Sequence, residues 1–274
     1  MRKPLENRDF TDLAVCDVPD AEYLEDGPLW GQYNRIFPVK IVVRQLANMI
    51  LQYDTDRIDL EVFRIEVASN ARELGLELRE IDNSSNRGRG EKLSSGLPIG
   101  SDANKSMNRF KTQFVGDIDQ SKHLSGAAPS LQFIEITSEE DNHIGLTDYG
   151  VLFAGLYNPL LDESLRSDIA LSDKEREFYL EHISHHLPDE FAAMQTVADG
   201  IQSGADRPDA LTEHVVELNG DWTDAQANTI RTGLVSRMYE LGLITRERVG
   251  QRGVAYRLTN QGEEHLLQAP EKVA

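Results

Sequence analysis

The feature that most constrains the fold is a five-residue pattern, Leu-Thr-x-x-Gly, which occurs at residues 146–150 and again at 258–262. At both places a strand-like run ends in the leucine, and the threonine or the Asx residue after it suits the first cap of a helix. Each copy follows the same predicted series of three helices and one hairpin. The pattern and the series together predict two units of one architecture, placed in tandem.

Apolar residues at helical and strand periods define that series in each half. In the first half, helices are predicted over 39–53, 59–76, 103–115 and 148–156, with strands over 131–137 and 143–147. In the second half, helices are predicted over 172–186, 189–202, 210–218, 223–241 and 260–268, with strands over 244–249 and 254–259. The predicted fold class is therefore mainly α with small β-hairpins, an α+β protein.

Composition suggests where the borders between the units lie. Residues 1–28 are polar and acidic and contain proline, which predicts a flexible acidic arm. A first domain is expected over 29–160, with a long loop over 80–103 that is rich in Ser, Gly and Asn. A second domain is expected over 161–274.

The stretch 223–262, TDAQANTIRTGLVSRMYELGLITRERVGQRGVAYRLTNQG, resembles the recognition helix, wing and closing helix of winged helix-turn-helix DNA-binding proteins. The segments LVSRMYELGLITRE and YRLTNQGEEHL carry this resemblance, which covers residues 172–268. The first half, 30–158, resembles the same fold more loosely, because a long connection joins its second and third helices. The resemblance implies two tandem winged-helix domains. In that family the recognition helix enters the major groove and the wing follows the DNA backbone.

The net charge of −19 argues against DNA as a partner at first, because contacts to phosphate need Lys and Arg. The chain has 8 Lys and 20 Arg, and its acidic residues are spread along the whole length. This pattern resembles the proteins of haloarchaea, whose cytoplasm is rich in potassium salt; the alternative is an ordinary acidic protein. In a halophile all proteins are acidic, so the local charge is what indicates a DNA-binding face.

Local charge is positive between residues 231 and 257, where six arginines oppose only Glu240 and Glu247. Ile230, Leu234 and Met238 form the predicted buried stripe of the recognition helix, which leaves the other side for DNA. The predicted DNA-binding residues of this half are Asn228, Thr229, Arg231, Thr232, Ser236 and Arg237 on the helix, and Arg246, Arg248, Gln251 and Arg252 on the wing. The alternative is a solvated surface that makes protein contacts.

The first half has a weaker case for DNA. Its predicted DNA-binding residues are Lys105, Asn108, Arg109, Lys111 and Thr112 on the third helix, with Arg87 and Arg89 in an Arg-Gly-Arg-Gly run. Glu139, Glu140 and Asp141 at the tip of its presumed wing would repel phosphate. Whether this half binds DNA or protein therefore stays open.

Other classes of function have little support. The single cysteine, Cys16, excludes an internal disulfide and a Cys-rich zinc site. His182 and His185 have a spacing that suits a metal, but histidines at a helix C-terminus also complement its dipole, so neither metal nor cofactor is predicted. The sequence contains no H-E-x-x-H, P-loop, G-x-S-x-G or Rossmann motif, and no enzyme is expected. The chain has no apolar run of transmembrane length or signal core, so a cytoplasmic protein without membrane contact is expected.

The prediction that follows is a sequence-specific transcriptional regulator that binds double-stranded DNA. A homodimer through residues 151–187 is one expected assembly, because this segment is rich in Leu, Phe and Tyr. The alternative is a non-catalytic interaction subunit, with a protein partner, of a DNA-processing, segregation or anti-phage defence complex.

Overall fold

The computed structural model describes residues 3–18, 27–88, 90–118, 123–138, 142–250 and 253–267. The protein is a mixed α+β structure with small antiparallel sheets, as its sequence predicts. It divides into two compact units, here called the first unit (Met1–Glu25 with Arg35–Tyr179) and the second unit (Asp26–Asn34 with Leu180–Ala274). The border therefore lies later in the chain than the predicted one, and a segment near residue 30 joins the second unit.

The first unit contains helices and two small groups of strands. Its helices are α1 (Phe37–Tyr53), α2 (Leu60–Ser84), α3 (Ala103–Phe110), α4 (Ala127–Ser130), α5 (Asp148–Gly155), α6 (Pro159–Asp162) and the start of α7 (Asp173–His186). Its strands are β1 (Ile58–Asp59), β2 (Asp117–Ile118), β3 (Leu124–Ser125), β4 (Ile134–Ser138) and β5 (His143–Leu146). Strands β1, β5 and β4 form one antiparallel sheet in that order, and β2 pairs with β3.

Helix α2 ends eight residues later than predicted, at Ser84. Its start agrees with the prediction, because the Asp59 carboxylate accepts a hydrogen bond from the Val62 amide at 2.8 Å and caps the first turn. Gly75, which lies inside the helix, provides room for Leu97 and Ile99, whose side chains would lie 2.8 and 2.6 Å from a Cβ at that position. The glycine thus permits close packing of the following loop.

The N-terminal segment 3–18, which was predicted as part of a flexible arm, packs on the first unit. Leu5 and Phe10 are buried, and the Asn48 amide on α1 donates to the Pro4 and Glu6 carbonyl oxygens at 3.2 and 2.9 Å. The two apolar side chains anchor a segment whose average composition is polar, which is why composition suggested an arm.

Two buried cations hold the C-terminal end of α5. Lys40 donates to the Phe153 carbonyl oxygen at 2.5 Å, and Arg44 donates to the Ala154 carbonyl oxygen at 2.6 Å. Neither cation is exposed. Lys40 also pairs with the buried Glu175 at 2.9 Å. These contacts satisfy carbonyl groups that a helix leaves without partners at its end.

The second unit follows the predicted series closely. Its elements after α7 are α8 (Pro188–Gln202), α9 (Pro208–Val216), α10 (Asp224–Glu240), β6 (Ile244–Val249), β7 (Gly253–Leu258) and α11 (Asn260–Leu266). A capping box begins α10, because the Thr223 side chain accepts from the Gln226 backbone amide and the Gln226 side chain accepts from the Thr223 backbone amide. Strands β6 and β7 form an antiparallel hairpin.

Residues 27–34, here called the strap, lie on α10. The backbone of Gly31 crosses the helix so closely at Gly233 that a Cβ on Gly233 would lie 2.6 Å from the Cα of Gly31. A Cβ on Gly31 would in turn clash with the carbonyl oxygen of Thr229. Glycine at both positions is what allows the strap to cover this flank of the helix.

The two Leu-Thr-x-x-Gly copies adopt the same local structure. In the first unit, the Thr147 hydroxyl donates to the Gln132 carbonyl oxygen at 2.5 Å and accepts from the Gly150 amide at 3.1 Å. Gly150 lies against the carbonyl of Phe133.

In the second unit, the Thr259 hydroxyl donates to the Gly242 carbonyl oxygen at 2.7 Å and accepts from the Gly262 amide at 3.0 Å. Gly262 lies against the carbonyl of Leu243. The threonine therefore caps the closing helix and joins it to the start of the hairpin in both units.

This equivalence shows where the two units differ. The helix end that precedes the hairpin is that of α10 in the second unit, but in the first unit it is that of the single-turn helix α4. Helix α3, which was predicted to run to residue 115, continues only as a π-helical turn over Lys111–Val115. Strands β2 and β3 then intervene before α4. The predicted third helix of the first unit is therefore not the helix that leads into its hairpin.

Candidate nucleic-acid interface

Helix α10 leaves only a narrow stripe open to solvent. Its core face is buried by the predicted residues Ile230, Leu234 and Met238, and the strap covers a second flank. The exposed or half-buried positions of the helix are Asp224, Ala225 and Gln226 in its first turn, followed by Asn228, Thr229, Thr232, Ser236 and Tyr239 along the stripe. The prediction that Asn228, Thr229, Thr232 and Ser236 face outward agrees with these exposures.

Arg237 does not lie on this stripe, which corrects its prediction as a DNA-binding residue. Its side chain is 1% exposed and forms a bidentate ion pair with Glu190 of α8, with atoms 2.7 and 3.0 Å apart. Its remaining donor Nη1 bonds the Tyr33 carbonyl oxygen of the strap at 2.7 Å. The guanidinium is thus part of the core of the second unit and has no surface left to offer to DNA.

Arg231 is also largely buried, at 8% exposure, which corrects its prediction as a direct reader of DNA. Its Nε atom donates to the Thr212 hydroxyl of α9 at 3.3 Å, and its Nη2 atom donates to the Asn228 side-chain oxygen at 2.5 Å. The guanidinium therefore lies between α9 and α10 and supports a residue of the exposed stripe.

Two arginines of the hairpin extend the stripe. Arg246 donates to the Ser236 hydroxyl at 3.4 Å, and its guanidinium lies over the Tyr239 ring at 4.6 Å from the centroid. Arg248 is exposed two residues further along β6, so both arginines project from the same face of the hairpin. Gln251 and Arg252, also predicted to contact DNA, lie outside the described residues.

The surface formed by this stripe and the two arginines, here called the α10 face, has few acids for so acidic a chain. Residues 225–239 contain no Asp or Glu, although the chain has 47 of them in 274 residues. Arg257 lies on the opposite face of the hairpin, since it pairs with Thr245 in the strand register. It is neutralised there by Asp206 at 2.8 Å and by Glu247 at 3.4 Å. Arg246 and Arg248 thus lie together on one face of the hairpin, and Arg257 lies on the other.

In the first unit, part of the predicted set lies together on one surface. Lys105, Asn108, Arg109 and Thr112 are exposed along α3 and the turn that follows it. Phe110 and Phe114 are buried beneath them, as predicted. Lys105 and Arg109 also border a cleft of about 340 Å³ between α3 and the loop before it.

The other basic residues predicted for the first unit are neutralised or cannot be placed. The Lys111 ammonium lies 3.4 Å from the Glu61 carboxylate on α2. Arg87 pairs with the buried Asp82, at 3.5 Å, and with Asp168. Arg89 and the acidic wing tip Glu139, Glu140 and Asp141 lie outside the described residues. The net effect is a weaker basic surface than the sequence predicts.

Two features are absent from the part of the chain that the structure describes. No group of three or more His, Cys, Asp or Glu side chains is arranged to hold a metal ion. No helix there has the length and apolar character needed to cross a membrane.

Sequence reasoning missed two contributors to the α10 face. One is Tyr239, which supports Arg246, and the other is Thr212, which positions Arg231. Tyr239 carries a usable signal, because an aromatic residue at the end of a recognition helix lies close to the first strand of the hairpin. Thr212 carries none, because its role depends on packing between two helices. No protein-family model, curated protein or solved structure matches this chain.

Proposed function

We propose that the protein is a sequence-specific DNA-binding regulator built from two tandem winged-helix domains. The second unit is the DNA reader. Helix α10 enters the major groove with Asn228, Thr232 and Ser236, and the β6–β7 hairpin follows the backbone with Arg246 and Arg248. The observation that carries this proposal is the contact of Arg246 with Ser236 and Tyr239, which joins the helix stripe and the hairpin arginines into one continuous surface.

The chemistry of the α10 face suits DNA in two ways. Amide and hydroxyl groups on a helix are the groups that read base edges, and arginines beside them grip phosphate oxygens. The dense negative charge of DNA would be repelled by the acidic surface that the rest of the composition implies. A face with few acids therefore favours one docking orientation over the others.

The halophile interpretation belongs to this proposal as well. In concentrated potassium salt the release of counterions contributes little to affinity, so more of the binding energy comes from hydrogen bonds and shape fit. Two arginines and a polar stripe suffice in such conditions, whereas a protein working in dilute salt needs more cations.

The test is a high-salt binding assay on DNA selected by the protein from a random duplex pool. The double variant Arg246→Ala and Arg248→Ala is expected to weaken binding at least about tenfold, because the charge-assisted hydrogen bonds of two guanidinium groups to phosphate oxygens are lost. Arg257→Ala is the matched control, since it removes the same side chain from the other face of the same hairpin. Equal binding by the double variant and the wild type would refute this proposal.

Association through the first unit is a second candidate function, in line with a homodimer or a protein partner. Within the segment 151–187, Leu152 is 58% exposed and Tyr157 is 44% exposed, whereas Phe153 and Leu160 are buried in the core. Exposed large apolar residues of this kind often mark protein contacts. Light scattering of Leu152→Ser at high salt tests it: a dimer in the wild type that dissociates in the variant supports association, and an unchanged mass contradicts it.

A further inference from the structure

Arg231 determines which way the Asn228 side chain faces. The guanidinium is held on one side by the Thr212 hydroxyl, at 3.3 Å from Nε, and its Nη2 atom lies 2.5 Å from the side-chain oxygen of Asn228. Arginine carries only donors, so the atom of Asn228 that faces it must be the oxygen and not the NH₂ group. The amide orientation is therefore determined by chemistry.

The oxygen of Asn228 is thereby turned toward the buried flank between α9 and α10. Asn228 itself is exposed, so its NH₂ group is the end of the amide that points away from that flank. The neighbouring threonines do not compete as donors. The Thr232 hydroxyl donates to the Asn228 carbonyl oxygen at 2.7 Å, and the Thr229 hydroxyl donates to the Ala225 carbonyl oxygen at 2.8 Å. Among these three residues, Asn228 supplies the side-chain donor of the stripe.

A free asparagine usually reads adenine with both ends of its amide, because adenine offers one acceptor and one donor in the major groove. An asparagine whose oxygen faces the buried flank beside Arg231 does not present that oxygen to the adenine amino group. Guanine offers two acceptors, N7 and O6, and both suit an NH₂ group. We infer that Asn228 reads guanine in preference to adenine, with Arg231 as the positioning residue that imposes this choice.

This inference rests on the proposed DNA binding of the second unit, and the experiment separates the two. The full-length protein is used at high potassium chloride to select duplexes from a random pool, and the base frequencies are compared among variants. The wild type is expected to favour G over A about tenfold at one position of the selected site, the size of one good base contact. Asn228→Ala should lose that preference at that position alone, while the base preferences at the other positions of the site stay as in the wild type.

The variants of Arg231 test the positioning role. Arg231→Lys keeps a donor beside the Asn228 oxygen and should keep the preference for G. Arg231→Met keeps the apolar stem but removes the donors, so it frees the amide and should shift the preference toward A. A merely structural role of Arg231 would change the stability or the overall affinity, without changing the base chosen at one position.

The possible results distinguish a failure of the proposed DNA binding from a failure of the inference on Asn228. If the wild type binds no duplex DNA at all, the proposed function fails and this inference fails with it. If the wild type binds DNA but Asn228→Ala changes no base preference, or the preferred base is A in the wild type, only this inference is overturned. Should Arg231→Met fail to fold, as judged by circular dichroism, the exposed Asn228→Ala variant still decides whether Asn228 reads guanine.

Discussion

Arg237 and Glu190 form a bidentate ion pair in the core of the second unit, with both side chains only 1% exposed. The Leu29 amide donates to the same carboxylate at 2.9 Å, and Arg237 donates to the Tyr33 carbonyl oxygen at 2.7 Å. The pair thus ties α8, α10 and the strap together. An arginine that appears in the sequence as part of a basic surface is one of the residues that hold the unit together.

Arg237→Met is expected to destabilise the protein by about 3–5 kcal/mol, because it leaves the Glu190 carboxylate buried without its cation. The free energy of unfolding is measured by denaturant titration. The control is the double variant Arg237→Met with Glu190→Leu, which removes both charges and should recover most of the loss. A double variant no more stable than Arg237→Met would contradict this explanation.

The loss in Arg237→Met should also depend on pH. Burial raises the pKa of Glu190, and Arg237 opposes that rise, so removing the arginine raises it further. A carboxyl whose pKa is higher in the folded state binds its proton more tightly when the protein is folded. The free-energy cost of burying the charged carboxylate is therefore complete above the folded-state pKa, and it disappears as the pH falls to the unfolded-state pKa. The stability gap to the wild type should therefore narrow as the pH falls toward 4.5. When Glu190→Gln is present in both proteins, the difference in stability made by Arg237→Met should not change with pH.

Gly150→Ala and Gly262→Ala should each destabilise the protein by roughly 1–3 kcal/mol or more, because the new methyl group would clash with the carbonyl of Phe133 or of Leu243. Gly155→Ala in the same helix as Gly150 is the matched control, since nothing lies within 4 Å of a Cβ there. It should be neutral or slightly stabilising, because alanine favours a helix. Thermal unfolding of the three variants side by side checks this prediction. Equal losses of stability in Gly150→Ala and Gly155→Ala would refute the proposed packing of Gly150 against the Phe133 carbonyl.

Cys16 should react slowly with thiol reagents in the folded protein. Burial, helped by the nearby Glu135 carboxylate, raises the pKa of its thiol from 9.0 to about 12. Only the thiolate reacts, so at pH 8 its rate should be about a thousandfold below that of the unfolded chain. Alkylation is followed with and without denaturant. The raised pKa should also make the folded protein less stable as the pH rises above 9. The Cys16 thiol then loses its proton in the unfolded chain but retains it in the folded protein.

The DNA affinity should respond to salt through the hairpin arginines. Arg248→Ala is expected to lower the slope of log affinity against log salt by about 1, because one phosphate contact is lost. Arg257→Ala should leave the slope unchanged, since that guanidinium is neutralised by Asp206 and Glu247. Titration of potassium chloride from dilute to molar concentration gives both slopes. An equal change in the two variants would mean that the opposite face of the hairpin also contacts DNA.

The parts of the fold that were predictable depend on residues close together in the chain. The Thr223 cap of α10 and the two copies of the Leu-Thr-x-x-Gly pattern depend on threonine side chains that bond backbone amides three residues later. The helices and the β6–β7 hairpin follow from apolar periodicity, which depends on the same local spacing. The overall α+β class and the series of elements in the second unit were predictable for that reason.

Only the tertiary structure decided which basic residues face the solvent. Apolar periodicity predicts one buried stripe on α10, but the strap covers a second flank and brings Tyr33, 204 residues away, to Arg237. A hydrogen bond to Thr212 of α9 holds the Arg231 side chain between two helices, and an ion pair with Glu61 neutralises Lys111. The sequence determined where the helix and the hairpin lie and that arginines are concentrated on them. Long-range packing decided that Arg246 and Arg248 reach the surface while Arg231 and Arg237 hold it in place, because burial depends on neighbours that local spacing does not reveal.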